Sequence, residues 1–405
     1  MLQDKTLWST EVGVPGSTLT NAQCNYLDAL RGGAAQLVLI GHIYSISHPG
    51  KTWGIGDLGV IVFFILSGFL ISYSALVKLN KNGYSFQYFL RDRFFRIFVP
   101  YLPALLLVVG IDTLVYRYTN ATTYLEYYSL KDFVATLLML QQHPVGLFAD
   151  QLLGLEELKL STFSSSRPWW TVANEWWLYL TFGLLLFSRE LSSRSFPLFI
   201  ALLAAISLVP LFNSVAGTGQ GLSLIWFLMA FFAWGYLSWS STLQKRLTES
   251  LRCGSRLKWI LLASGGLLLG LSIARVVWIS FIDNNFHFVR PNFFDFNLYV
   301  LLAAFFIMTM ILLGNKKIGR RQAILRFIAE YSYSLYLTHY TLISALYAFK
   351  LLDADSPMSL IFAYALSNLL AITLYFLFER HYKRLQTYYE SRFTTRGDVS
   401  KGTEQ

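Results

Sequence analysis

A chain of 405 residues that is 55% hydrophobic, 17% aromatic and only 14% charged lacks the polar groups to cover a water-soluble surface of its size. Its net charge of +10 arises from 33 Lys and Arg gathered mostly in loops between apolar runs, the pattern of a membrane protein facing anionic lipid and not of a nucleic-acid binder. Its two cysteines, Cys24 and Cys253, fall in segments expected in the cytoplasm, so neither a structural disulfide nor a cysteine-based metal site is expected.

Residues 1–25 are polar and mixed, with no apolar stretch before Tyr26, and read as a cytoplasmic segment without a cleavable signal peptide. Apolar runs of about 20 residues, the length that crosses a bilayer, follow at about 30–49, 56–77, 98–116, 168–188, 196–213, 221–240, 258–278, 296–314, 327–349 and 358–378. The expected fold is all-α and polytopic: about ten transmembrane helices in one domain over 26–384, then a polar cytoplasmic tail over 385–405. With the amino terminus inside, 25 of the 33 Lys and Arg fall in cytoplasmic segments, which puts both termini in the cytoplasm. The long external stretch from Tyr118 to Arg167 contains Phe133–Leu140, too short to span and better read as interfacial or re-entrant.

The first run carries Arg31 and His42. Eleven residues amount to three turns plus about 20°, so the two side chains share a face, roughly 16 Å apart along the axis. Arg31 lies at the predicted cytoplasmic edge and His42 deep inside, and ionisable groups inside a membrane are costly and usually functional. In the loop entering the third run, Arg93 and Arg96 are three residues apart, a spacing that suits two guanidinium groups to one polyphosphate and equally suits ordinary positive-inside anchoring. The fourth run opens Arg167-Pro168-Trp169-Trp170 and places Glu175 roughly 10 Å below the outer edge; the ninth places His339 roughly 20 Å from the inner edge. His42, Glu175 and His339 are thus expected at nearly one depth, although each also reads as a buried polar residue satisfied by a neighbouring helix. Trp169, Trp170, Tyr127, Tyr128 and Trp278 could stack on sugar rings on the outer side, but aromatics are also common interfacial anchors there. Arg275 and His287 are further candidates on the outer side.

Leu27 to His42, Gly59 to Phe69, the Arg93/Arg96 pair, Trp170 to Tyr179 and Ser332 to His339, in that order and spacing, resemble the acyltransferase-3 family of bacterial integral membrane O-acyltransferases over nearly the whole chain. The resemblance implies ten transmembrane helices in the bacterial inner membrane and an acyl-CoA donor, most commonly acetyl-CoA, used from the cytoplasm without a metal. The acceptor it implies is a hydroxyl of an extracytoplasmic carbohydrate or glycolipid such as O-antigen or exopolysaccharide. By position, Arg31 and His42 match the family's basic-residue-to-histidine pair, Arg93 and Arg96 its paired-arginine loop, and Glu175 its acid. The resemblance therefore makes His42, Glu175 and Arg31 the expected catalytic residues and Arg31, Arg93 and Arg96 the expected donor-binding residues. His339, Trp170 and Tyr336 are the expected substrate-binding residues. Ile61 departs from the polar or acidic residue of many members, and Thr338 from a frequent aromatic.

The chemistry fits this map. Arginines at the inner mouth would hold the nucleotide phosphates, and His42 would remove the acceptor's proton, with Glu175 orienting the imidazole or acting as the base itself. A direct transfer and a route through an acyl-histidine both satisfy the arrangement. The other function class open to the same residues is a transporter or flippase with an intramembrane His/Glu proton relay. The arginine cluster and the lack of Gly/Pro-broken helices in matched halves weigh against it.

Overall fold

The computed structural model describes residues 19–51, 53–79, 83–141, 143–154, 159–238, 256–283, 293–314 and 322–393. Cys253, His287, Lys245, Arg246, Arg320, Arg321, residues 1–18 and the tail beyond Phe393 lie outside them. The described residues form helices and no strand, as a bilayer requires of a chain that satisfies its backbone within each segment.

Helix α1 (Asn21–Ser47) begins well before the predicted apolar run. The reason is a capping box: the Thr20 hydroxyl accepts from Gln23 N at 3.3 Å, and the Gln23 side-chain oxygen accepts from Thr20 N at 2.8 Å. Gln23 then donates to the Met310 carbonyl at 2.7 Å and Tyr236 Oη at 2.9 Å, so a polar first turn is buried against other helices. Helix α2 (Ile55–Leu79) is apolar all round and sits inside the bundle. It is clamped between α1 and a later helix by small residues: a Cβ on Gly59 would lie 2.5 Å from the Ala34 carbonyl oxygen, and one on Gly68 would collide with the Trp226 carbonyl. Lipid gives no hydrophobic drive for helix association, so such close approach is what lets dispersion hold the helices together.

Helix α3 (Phe86–Tyr118) is 33 residues long and contains Pro100 and Pro103. It starts at Phe86, so Arg91, Arg93 and Arg96 stand on its first three turns and not in a loop, a correction to the sequence reading. Between α3 and the next long helix lie α4 (Leu130–Leu137) and α5 (Pro144–Leu153). The eight residues of α4 are too few to cross a bilayer, in keeping with the expectation for this segment. Its far end is pinned by Trp177, whose indole donates to the Met139 carbonyl at 2.7 Å.

A 3₁₀ turn, Arg167–Trp169, leads into α6 (Trp170–Leu186), followed by the short α7 (Ser188–Arg194), α8 (Phe196–Val215) and α9 (Leu222–Ser238), which packs on α2. Then come α10 (Arg256–Trp278) and α11 (Phe296–Leu313), packed on each other. The ninth predicted run is two helices, α12 (Ala323–Glu330) and α13 (Ser332–Ala348), separated at Tyr331. Glu330 stabilises the break by accepting from Arg326 Nε at 2.9 Å and Tyr375 Oη at 2.7 Å. Helix α14 (Pro357–Leu377) packs on α13, and α15 (Tyr382–Phe393) runs back along the start of α3.

A helix thus occupies each of the ten predicted runs. Among the described residues, six stretches are long and apolar enough to cross a membrane: Ile55–Leu79, Phe86–Tyr118, Phe196–Val215, Trp259–Phe281, Phe296–Leu313 and Pro357–Arg392. The chain is a multi-pass membrane protein. Helices α1, α3 and α13 touch pairwise or through one another, with α2 and α6 closing the group, and this cluster carries the polar residues singled out above.

Candidate active site

Two cavities lie among these helices. The larger, of about 1970 Å³, is lined by His42, Arg167, Trp170 and Tyr340 among others. The smaller, of about 110 Å³, is lined by Arg31, Arg93, Arg96, Glu175 and Tyr179 against an apolar wall from α2.

His42 and His339 join across α1 and α13: His42 Nδ1 lies 2.8 Å from His339 Nε2, the rings stacked at 5.0 Å. The far nitrogen of His339, Nδ1, is 2.9 Å from the Leu335 carbonyl oxygen. A carbonyl only accepts, so His339 Nδ1 carries the hydrogen and its Nε2, in the neutral ring, accepts. His42 must then donate from Nδ1, which leaves Nε2 of His42 as the ring nitrogen with a lone pair. The hydrogen-bond chain therefore assigns both tautomers. Tyr340 stands edge-on to His42 at 5.0 Å and completes its surroundings on the cavity side.

Glu175 is placed differently from the role expected for it beside His42. It lines the smaller cavity with Arg31 and accepts from Tyr179 Oη at 3.2 Å, so the group that orients the His42 ring is His339. His339, expected as a substrate contact, is almost wholly buried behind His42.

Tyr336 occupies the wall between the cavities. Its ring lines the smaller one, while its hydroxyl is 2.6 Å from Thr171 Oγ1 and donates to the Pro168 carbonyl at 3.0 Å; Pro168 lines the larger one. Its ring is 5.8 Å from that of His339. Of the two adjacent tryptophans, Trp170 reaches the larger cavity, whereas Trp169 is buried against Tyr101 at 4.5 Å with its indole N–H on the Leu337 carbonyl. Neighbours on a helical turn point about 100° apart, so only one can face the cavity.

One arginine of the smaller cavity is held by an acid from far along the chain. Arg96 Nη1 donates to Glu379 Oε1 at 3.1 Å, and its guanidinium lies 5.3 Å from the Tyr382 ring centre. Arg93, one turn earlier, is nearly fully buried and lines the same space. Sequence reasoning passed over Glu379 because nothing in its local pattern, Phe378-Glu379-Arg380-His381, distinguishes it from a helix-end charge.

The remaining acceptor-side candidates separate cleanly. Tyr127 lines the larger cavity; Tyr128 hydrogen-bonds Thr113 instead, and Trp278 lines neither cavity. Arg275 is committed to Asp295 by two hydrogen bonds of 3.0 and 2.9 Å, which hold the Asp295 carboxyl below its usual range. The hydrogen-bonded neighbour Glu126 pushes the Tyr127 phenol up, so that ring is neutral.

An all-helical, multi-pass protein with a histidine pair between two cavities is the setting in which the sequence comparison falls. The family model described as an acyltransferase domain, the acyltransferase-3 family, matches residues 25–377, and the chain belongs to that family. It is a membrane acyltransferase. No curated protein and no solved structure matches the chain.

Proposed function

We propose that the chain moves an acyl group, most simply acetyl, from acyl-CoA on the cytoplasmic side to a hydroxyl of an extracytoplasmic carbohydrate such as O-antigen or exopolysaccharide. The reading includes ten transmembrane helices with both termini in the cytoplasm of a bacterium, so that the arginine cavity opens inward and the His42 cavity outward. The observation that carries it is the assigned lone pair on His42 Nε2, on a residue that lines the larger cavity and shares its helix with Arg31 of the smaller one.

In this mechanism Arg31, Arg93 and Arg96 bind the donor's phosphates, and the acyl-pantetheine arm passes Glu175 and Tyr336 to reach His42. His42 Nε2 takes the acceptor's hydroxyl proton as the oxygen attacks the thioester carbonyl; the C–S bond breaks and the CoA thiolate leaves, recovering the proton from His42. As His42 Nε2 gains a proton, the ring becomes an imidazolium whose Nδ1–H still has an acceptor in His339, so the charge develops next to a preformed partner. The same nitrogen would serve as the nucleophile in a two-step route.

Purified protein and labelled acetyl-CoA test the proposal. Wild type is expected to consume the donor, and His42→Ala to lose that activity while remaining inserted; equal donor consumption by the variant would overturn it. Label retained on the protein without acceptor would assign the acyl-histidine route. A transporter would consume no donor.

A further inference from the structure

The wall of the larger cavity includes three carboxylates, Asp57, Asp112 and Asp353, and three cations, Lys159, Arg167 and Lys350. Each carboxylate already accepts at least one hydrogen bond from the protein. Asp112 accepts from Ser165 N at 3.1 Å and from its hydroxyl at 2.8 Å, Asp57 from Phe293 N at 3.2 Å, and Asp353 from Asp355 N at 3.1 Å. Among the described residues none of the three cations lies within ion-pairing distance of a carboxylate. The wall therefore presents three cations that no carboxylate of the described residues pairs with directly.

Arg167 differs from the two lysines in being mounted. Its guanidinium lies 5.2 Å from the Tyr124 ring centre and 5.7 Å from that of Tyr127, so two aromatic faces hold it in place. Arg167 also hydrogen-bonds the Tyr127 hydroxyl, and its remaining N–H edge suits a planar or tetrahedral oxyanion, which a guanidinium can bind through two parallel hydrogen bonds. The mount also leads to the reaction centre. The Tyr124 hydroxyl is 2.6 Å from that of Tyr340, and Tyr340 stands edge-on to His42. Two tyrosines thus separate Arg167 from the catalytic imidazole, a span comparable with one or two sugar rings. The cavity exceeds the roughly 300–1,000 Å³ of a small-molecule pocket, which leaves room for several such rings beyond the acylated one.

We propose that Arg167, on its Tyr124–Tyr127 platform, binds a carboxylate or phosphodiester carried by the acceptor close to the acylated hydroxyl, so that the acceptor is an acidic glycan. The proposal rests on the reading of the larger cavity as the acceptor site. A neutral glycan would leave the mounted guanidinium facing hydroxyls alone, the weaker of the two pairings.

The test uses the full chain in lipid nanodiscs, with affinity measured for three probes: tetragalacturonate, its fully methyl-esterified form and a poly(glycerol phosphate) oligomer. Wild type is expected to bind at least one of the two anions about tenfold more tightly than the neutral ester. Tetragalacturonate would mark a carboxylate, the oligomer a phosphodiester. Arg167→Gln should erase the preference and Arg167→Lys restore part of it, with thermal melting checking that each variant is folded. Equal affinity for anions and ester in wild type, or a preference that survives Arg167→Gln, would overturn the proposal. Donor consumption by the same wild-type sample separates this outcome from failure of the acyltransferase mechanism, which would show as no turnover whatever the binding.

Discussion

Arg96 and Glu379 form an ion pair of 3.1 Å in which the carboxylate has no solvent exposure. The second oxygen of Glu379 accepts from Ser334 N at 3.2 Å and from the Ser334 hydroxyl at 2.6 Å. An arginine of the small cavity on α3 is thereby fixed to the first turn of α13, five residues before His339. Glu379→Gln keeps the shape and removes the charge, so Arg96 should lose its set position: the donor KM should rise several-fold with kcat changed less. Glu379→Ala removes the carboxylate partner of a mostly buried guanidinium, at a cost of up to about 3–5 kcal/mol, and should lower the melting temperature. Unchanged donor KM in the glutamine variant would reduce Glu379 to a structural tie.

His339 sets which nitrogen of His42 bears the hydrogen. Replacing it by Phe removes that selection and should lower kcat by about a hundredfold, within the range seen when a catalytic base loses its orienting partner. His339→Asn retains a carbonyl that can accept from His42 Nδ1, and should recover part of the loss. Steady-state kinetics decide the matter; a phenylalanine variant with wild-type kcat would show that the histidine contact has no bearing on turnover.

Gly59 sets the distance of α1 from α2, and α1 carries both Arg31 and His42. With a Cβ at 2.5 Å from a backbone oxygen, Gly59→Ala must push the helices apart. The expected results are a lower melting temperature and a fall in activity larger than the loss of folded protein, because the His42–His339 contact opens as α1 shifts. Activity in proportion to folded protein would mean that the displacement is absorbed elsewhere.

Tyr336→Phe removes the bonds to Thr171 and Pro168 and keeps the ring. With the wall unlatched, water should reach the thioester more often, and acyl-CoA hydrolysis without acceptor should rise several-fold relative to transfer. The ratio of free acid to acylated acceptor measures it directly, and an unchanged ratio would argue that the two bonds do not restrain the ring.

The two tryptophans provide an internal comparison. Trp169→Phe should cost stability, since it removes the indole's bond to the Leu337 carbonyl and thins the packing on Tyr101, by about 0.5–1.5 kcal/mol for the bond alone. Trp170→Ala should instead weaken acceptor use with little change in melting temperature. The reverse pattern in melting and acceptor titrations would exchange their assignments.

Hydropathy made the helices legible because an uncharged apolar run of bilayer length suits a spanning helix and little else, but it misplaced ends wherever polar residues are buried. Gln23 and Asp28 hid the first turns of α1, and Arg91 to Arg96 made the start of α3 look like a loop. The break at Tyr331 depends on Arg326, Glu330 and Tyr375, the last of them far along the chain. Depth along each helix was readable from residue counts, which is why His42, Glu175 and His339 drew notice together. Rotation about each helix axis was not, and rotation is what turns His339 toward His42 and Glu175 toward Arg31. The same limit separates Trp169 from Trp170.

The wall at Tyr336 also has an electrical meaning. Where water-filled space enters a membrane protein from both sides, the transmembrane voltage falls mainly across the thin barrier between the two spaces, at about 2.3 kcal/mol per elementary charge per 100 mV. On the proposed orientation that barrier is the Tyr336–Thr171–Pro168 contact, with the histidine pair beside it. Until the thiolate recovers its proton, imidazolium and thiolate carry opposite charges beside the steepest part of the field, which would tie the rate of turnover to the membrane potential of an energised cell.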